Sequence, residues 1–383
     1  MRWFAGLLFC FAALNAQTQI ATSKKGLQVQ MVDDALELGI AHAAINVQLG
    51  HLLRPSGHEI SPAALHALDA QIRPLAKAGV RLYLILLARA TGDAAIDALQ
   101  FDPRYDPSAP NALGAFRVLD DDGRAHLTAV LEVLAERYGE DSEIGRVDGW
   151  IVGNEVNSHW WWHNLGKASV DEVARVYEPA VRLVHEVTSR HNENAKVYIS
   201  LEHHWQMRFA AGSDEQACAG RALLDRFAAL ARERGDFAWH VAFHPYPEDL
   251  FDCRFWEDET ALPGPDSPRI TFKNLEVLTD YLARDELLWQ GAPRRVILSE
   301  QGFHCRDDAT GEADQVLAFE RAWQKVQSLD GVDALIYHRH VDHAREGGLR
   351  FGLWQNAPGS IADPGRKRTL WSVFRDIDRP THR

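Results

Sequence analysis

The chain has 383 residues, 46% of them hydrophobic and 25% charged, and its 54 acidic and 41 basic side chains leave a formal charge of −13. Such a composition excludes a disordered polymer and a bundle of membrane spans, and it leaves apolar material enough for a large core. The negative balance repels a phosphate backbone and no Lys/Arg-rich run offsets it locally, so no nucleic-acid partner is expected.

At the N-terminus, Arg2 precedes the apolar stretch Trp3–Leu14 and then Asn15-Ala16-Gln17. This order reads as the charged, hydrophobic and cleavage regions of a secretory signal over residues 1–16, too short for a permanent span. It predicts a secreted or periplasmic protein with no membrane attachment after cleavage; the alternative is a buried first strand. Cys10 would leave with the signal, so Cys218, Cys253 and Cys305 remain. Cys253 and Cys305 follow successive predicted strands and are candidates for a disulfide, against the reading of three unpaired buried thiols.

Beyond the leader, short β-branched or aromatic runs alternate with stretches of helical period, the pattern of βαβ units around a parallel sheet. Predicted strands are His42–Leu49, Val80–Ala88, Gly149–Glu155, Lys196–His203, Trp239–Tyr246, Arg295–Glu300 and Asp333–His338. Predicted helices are Val29–Gly39, Pro62–Ala78, Leu127–Tyr138, Val170–His191, Arg221–Arg234, Phe272–Ala283, Ala313–Leu329 and Leu370–Ile377. Because Val29–Gly39 already reads as a crossover helix, a strand is placed before it, at Gln17–Thr22. Eight strands and eight helices then form a single α/β domain over residues 17–383, a (β/α)₈ barrel, with the long Asp- and Pro-rich segment Ala90–Asp122 shaping its mouth.

Barrels of this kind assemble their sites from strand C-termini. Polar residues stop the apolar runs at Asn46, Asn154-Glu155, Glu202-His203-His204-Trp205, His244-Tyr246, Glu300-Gln301 and His338-Arg339-His340. Two of these ends carry carboxylates, Glu155 on the fourth strand and Glu300 on the seventh. Glycoside cleavage needs such a pair: one group protonates the leaving oxygen and the other attacks the anomeric carbon, with retention when they stand close enough to share it. Trp160, Trp161 and Trp162 follow the first carboxylate, and indole faces suit sugar C–H faces. Three consecutive indoles are not all expected to point inward.

Asn154-Glu155, His244-Pro-Tyr246 and Ser299-Glu300, in strand order four, six and seven, resemble the signature of glycoside hydrolase clan A. More narrowly, Lys24–Asp34, Phe243–Pro247, Ile270–Asn274, Leu298–His304 and His338–His343 look like a bacterial family of undetermined function in that clan. The resemblance implies a retaining glycoside hydrolase with a carbohydrate substrate, Glu155 as acid/base, Glu300 as nucleophile and Tyr246 against the nucleophile. Asn46, Asn154, Trp160, His204, Trp205, His244, Tyr246, His338 and Arg339 would bind substrate, and no cofactor or metal is expected. Many clan members carry an arginine at the end of strand two. Here Asn46 stands there, which makes Arg339 or another strand-end cation its substitute. The clan's strand-eight aromatic has His338 or Trp354 as its nearest counterpart. Two rival readings remain: the histidines with Asp342 as ligands of a metal-dependent hydrolase, and a barrel that binds sugar without turnover.

Overall fold

The computed structural model describes residues 23–55 and 59–379. Eight parallel strands close on themselves: β1 Lys25–Gln28, β2 His42–Gln48, β3 Arg81–Arg89, β4 Gly149–Val152, β5 Lys196–Glu202, β6 Trp239–His244, β7 Val296–Leu298 and β8 Val332–Tyr337. Each pairs with its chain neighbours, and closure comes from β1, where Leu27 stands opposite both Ala43 of β2 and Tyr337 of β8. Crossover helices follow the strands: α1 Val32–Glu37, α2 Pro62–Lys77, α3 Asp121–Arg137, α4 Val170–His191, α5 Gly220–Glu233, α6 Glu276–Leu282, α7 Gly311–Gln327 and α8 Thr369–Asp376. A small hairpin, β9 Trp354–Asn356 and β10 Pro364–Lys367, sits between β8 and α8. No helix among the described residues is long and apolar enough to cross a membrane.

Strand alternation separates two cores. In β3, Leu82, Leu84 and Leu86 join the layer between strands and helices, while Tyr83, Ile85 and Leu87 point into the barrel. The interior holds Ala44, Ile151, Tyr198, Ala242, Ile297, Ala334 and Ile336 besides, a mixture of large and small side chains that fills the taper. Glycine completes it where two large neighbours leave no room: a Cβ on Gly149 would lie 2.6 Å from Tyr83 and 2.9 Å from Tyr198. Outside, α4 starts from a capping box, with Ser169 accepting from Glu172 N–H and the Glu172 carboxylate accepting from Ser169 N–H.

The barrel expected from the sequence is present, with four local corrections. The first strand is Lys25–Gln28, not Gln17–Thr22, which lies outside the described residues. It was hidden by its lysine: Lys25 is buried, and its ammonium donates to Asp378 (2.6 Å) and to the Arg375 carbonyl (3.0 Å) at the end of α8. The third helix begins six residues earlier than its apolar period, because Asp120 caps it by accepting from Gly123 N–H. The stretch before α6 is a separate 3₁₀ turn, Phe272–Asn274. Finally, Cys218, Cys253 and Cys305 are all free thiols; Cys253 lies in the apolar core, and Cys305 points toward the Arg306 carbonyl.

Candidate active site

The acid/base candidate leaves its strand by an abrupt turn. After Val152 the chain takes a left-handed conformation at Gly153 (φ 72°) and again at Glu155 (φ 42°, ψ 51°), rare for a residue with a Cβ. Gly153 is required because a Cβ there would meet the His163 ring at 2.7 Å. Hydrogen bonds on the neighbouring strand fix the turn. Glu155 N–H donates to Ser200 Oγ (3.0 Å), and Tyr177 of α4 reaches between β4 and β5 to donate to the Val152 carbonyl and accept from Ser200 N–H.

Just beyond, Asn157 and Ser158 donate to the buried carboxylate of Glu202 at the end of β5. The other Glu202 oxygen accepts from His204 N–H (3.0 Å) and its Nδ1 (2.6 Å). Burial alone would raise the Glu202 pKa, but the hydrogen bonds from His204 and the charges of His204 and His203 outweigh it and hold the group at about 2. His203 donates from Nδ1 to the Tyr246 carbonyl, leaving Nε2 3.8 Å from Glu202.

Glu300 follows β7 and faces Glu155 across the mouth. A carboxylate oxygen of Glu155, one of Glu300 and a ring nitrogen of His244 all lie within 4.8 Å of one another. His244 Nδ1 sits 2.8 Å from Glu155 Oε1, and its Nε2 sits 3.0 Å from Ser299 Oγ. Tyr246 donates from its hydroxyl to Glu300 Oε1 (3.1 Å), and Gln28, ending β1, donates from Nε2 to Glu300 Oε2 (3.1 Å).

The two carboxylates titrate in opposite directions. Burial pushes Glu155 up, reinforced by the negative charges of Glu300 and Glu202 and only partly offset by its bond to His244. Burial also opposes ionisation of Glu300, yet the charges of His338 and His244 with the Gln28 and Tyr246 hydrogen bonds bring it down to about 2. One group is therefore poised to hold a proton while the other stays anionic, the split that acid and nucleophile need.

Beside Glu300 a cleft of about 500 Å³ opens, lined by Gln28, Asn46, Gln71, His338, Arg339 and His340 among others. Asn46 is exposed on its wall, and Asn154, half-buried, lies within the turn between Gly153 and Glu155. Trp162 packs over the barrel interior and Trp161 lies edge-on to Phe209, so all three indoles of the run are half-buried. Trp160 is held by its backbone N–H to the Gln216 carbonyl.

Two expected ligands are placed otherwise. Trp205 is fully buried against Tyr281, its indole N–H donating to the Pro265 carbonyl, and it packs rather than lines the cleft. His204 is likewise buried, between Glu202 and Arg269. Arg339 donates to Glu346 rather than to Glu300, and Trp354 bonds Asp34. Sequence reasoning missed Gln28, because the first strand was placed too early; it is as plain a strand-end polar residue as the others. Ser200 and Glu346 carry no local signal, their roles arising from packing across strands and loops.

A closed set of eight parallel strands with two facing carboxylates at its C-terminal mouth places the molecule in the architectural class of the (β/α)₈ barrels. Solved structures of that class superpose on it: a family 39 glycoside hydrolase from the gut symbiont Bacteroides cellulosilyticus WH2 (TM-score 0.61, 12% identity, 94% of this chain and 64% of that one). Others are a β-glucosidase from Thermotoga maritima in complex with deoxynojirimycin (0.58, 12%, 91% and 85%) and a Thermotoga maritima family 1 glycoside hydrolase complexed with a cyclophellitol analogue transition state mimic (0.58, 12%, 91% and 84%). The chain thus spans less than two thirds of the family 39 enzyme, and at such identity the likeness is one of fold. By sequence the chain belongs to the Family of unknown function (DUF5722), whose model matches residues 17–383. No curated protein matches it.

Proposed function

We propose that this protein is a retaining glycoside hydrolase acting on an oligo- or polysaccharide, and that it is secreted or periplasmic, a reading supported by the signal-like order of residues 1–16. The observation that carries the activity is the meeting of Glu155 and Glu300 within 4.8 Å at the barrel mouth, with proton affinities driven apart. At that separation both groups reach one anomeric carbon from opposite sides of a sugar ring. Glu300 attacks that carbon as the glycosidic C–O bond breaks, and Glu155 gives its proton to the departing oxygen. The resulting glycosyl ester on Glu300 is released by a water whose proton Glu155 takes back, which restores both groups. Tyr246 and Gln28 hold the nucleophile's two oxygens, so that only its rotation toward the sugar remains to be made.

A metal-dependent hydrolase is the second reading, because Glu155, His244 and Glu300 could together ligate an ion. Glu202 is the weaker ligand, its oxygens already taken by Asn157, Ser158 and His204. Assay on a panel of aryl glycosides with and without a chelator separates them. Chelator-insensitive cleavage abolished in Glu300→Gln supports the glycosidase; chelator-sensitive hydrolysis supports the metalloenzyme, and sugar binding with no cleavage supports a silent barrel.

A further inference from the structure

The arginine that supports the nucleophile in many clan A barrels has no counterpart at Asn46, and Arg339 is engaged elsewhere. The hydrogen bonds of Glu300 lead instead through Gln28 to His338. Gln28 Nε2 faces two acceptors, Glu300 Oε2 (3.1 Å) and the Ser299 carbonyl (3.3 Å), which fixes the amide nitrogen on that side. Its Oε1, an acceptor only, therefore faces His338 Nδ1 at 2.8 Å. The other ring nitrogen, His338 Nε2, lies 3.1 Å from Glu346 Oε1, an oxygen that also accepts from Arg339 (2.8 Å). An imidazole with an acceptor at each nitrogen satisfies both only with two protons.

The neighbouring His340 shows the contrast. Its Nδ1 accepts from Gln30 and Met31 N–H (3.3 Å each), and its Nε2 donates to Asp34 (2.7 Å), the pattern of a neutral ring. We propose that His338 is held as an imidazolium by Glu346 and, through Gln28, acts as the positioning cation that keeps Glu300 anionic in place of the strand-two arginine. The groups around it are consistent: Glu346, Arg339 and His343 come from its own loop, Glu300 from the end of β7, and, among the described residues, β1 and β2 contribute neutral Gln28 and Asn46. The cation carries no proton to the substrate. Its part is to orient Gln28 and to favour charge on Glu300, a role that rests on the glycosidase reading, whereas its protonation state does not.

The test is nitrogen NMR of the full chain with ¹⁵N-labelled histidine at neutral pH, the His338 signal assigned by its loss in His338→Gln and, independently, by its perturbation in Glu346→Gln. Two protonated ring nitrogens on His338, beside one on His340, are expected, and Glu346→Gln should return His338 to a single proton. A singly protonated His338 in the wild type overturns the proposal whether or not any glycoside is cleaved. On a cleaved aryl glycoside, His338→Gln should move the acid limb of kcat/KM up by about one pH unit, a roughly tenfold loss on that limb. An unmoved limb with uniformly lower kcat would make the role merely structural and also overturn it.

Discussion

Glu155 and Glu300 differ in what surrounds them more than in what they are. Glu155 is buried with two other carboxylates nearby, whereas Glu300 is ringed by donors and cations. The expected pH profile of kcat/KM is a bell: activity is lost in acid as Glu300 gains a proton and lost in base as Glu155 gives its proton up. Tyr246→Phe removes a donor that favours the charged form of Glu300, so its acid limb should shift to higher pH with the alkaline limb in place. Glu155→Gln should cut turnover of glycosides with poor leaving groups by about 10²–10⁴-fold while sparing attack on those with activated phenols. A flat leaving-group dependence in that variant would contradict the assignment. These two carboxylates were legible in the sequence because strand-end acids interrupt apolar runs. Most supporting residues were not: Ser200 and Glu346 act across strands, and Gln28 hides behind a buried lysine whose partner, Asp378, lies 353 positions away.

At the scale of elements, the turn after β4 depends on β5. Glu202 anchors Asn157 and Ser158, and its pKa of about 2 lies below its ordinary 4.5, so it stabilises the fold above that ordinary value. The contribution is lost as pH falls from 4.5 through about 2, and steeper acid unfolding in that window is the expected signature. Glu202→Ala should cost about 3–5 kcal/mol in a denaturant titration, since it leaves buried donors unpaired. Gly149→Ala should destabilise by about 1–3 kcal/mol, because Tyr83 and Tyr198 leave a methyl no room. Helix positions were readable to within a turn from their apolar period. The start of the third was not, since its cap, Asp120, lies outside that period.

For the whole molecule, closure of the barrel turns residues 145 positions apart into a facing pair, and it does so through strand order that an alternating sequence pattern already announces. The thiols belong to this scale also: titration of denatured, unreduced protein should find Cys218, Cys253 and Cys305 free, as the structure has them. What alternation cannot announce is which strand-end side chains turn inward, and Trp205, buried against Tyr281, shows the difference. The central claim is that Glu300 forms a covalent bond to sugar while Glu155 supplies and removes the proton. Incubation with a panel of 2-deoxy-2-fluoro glycosides bearing activated leaving groups, followed by peptide mapping, tests it most directly. The account predicts a glycosyl label on the peptide carrying Glu300, absent in Glu300→Gln; a label on Glu155 or on any other residue would contradict it.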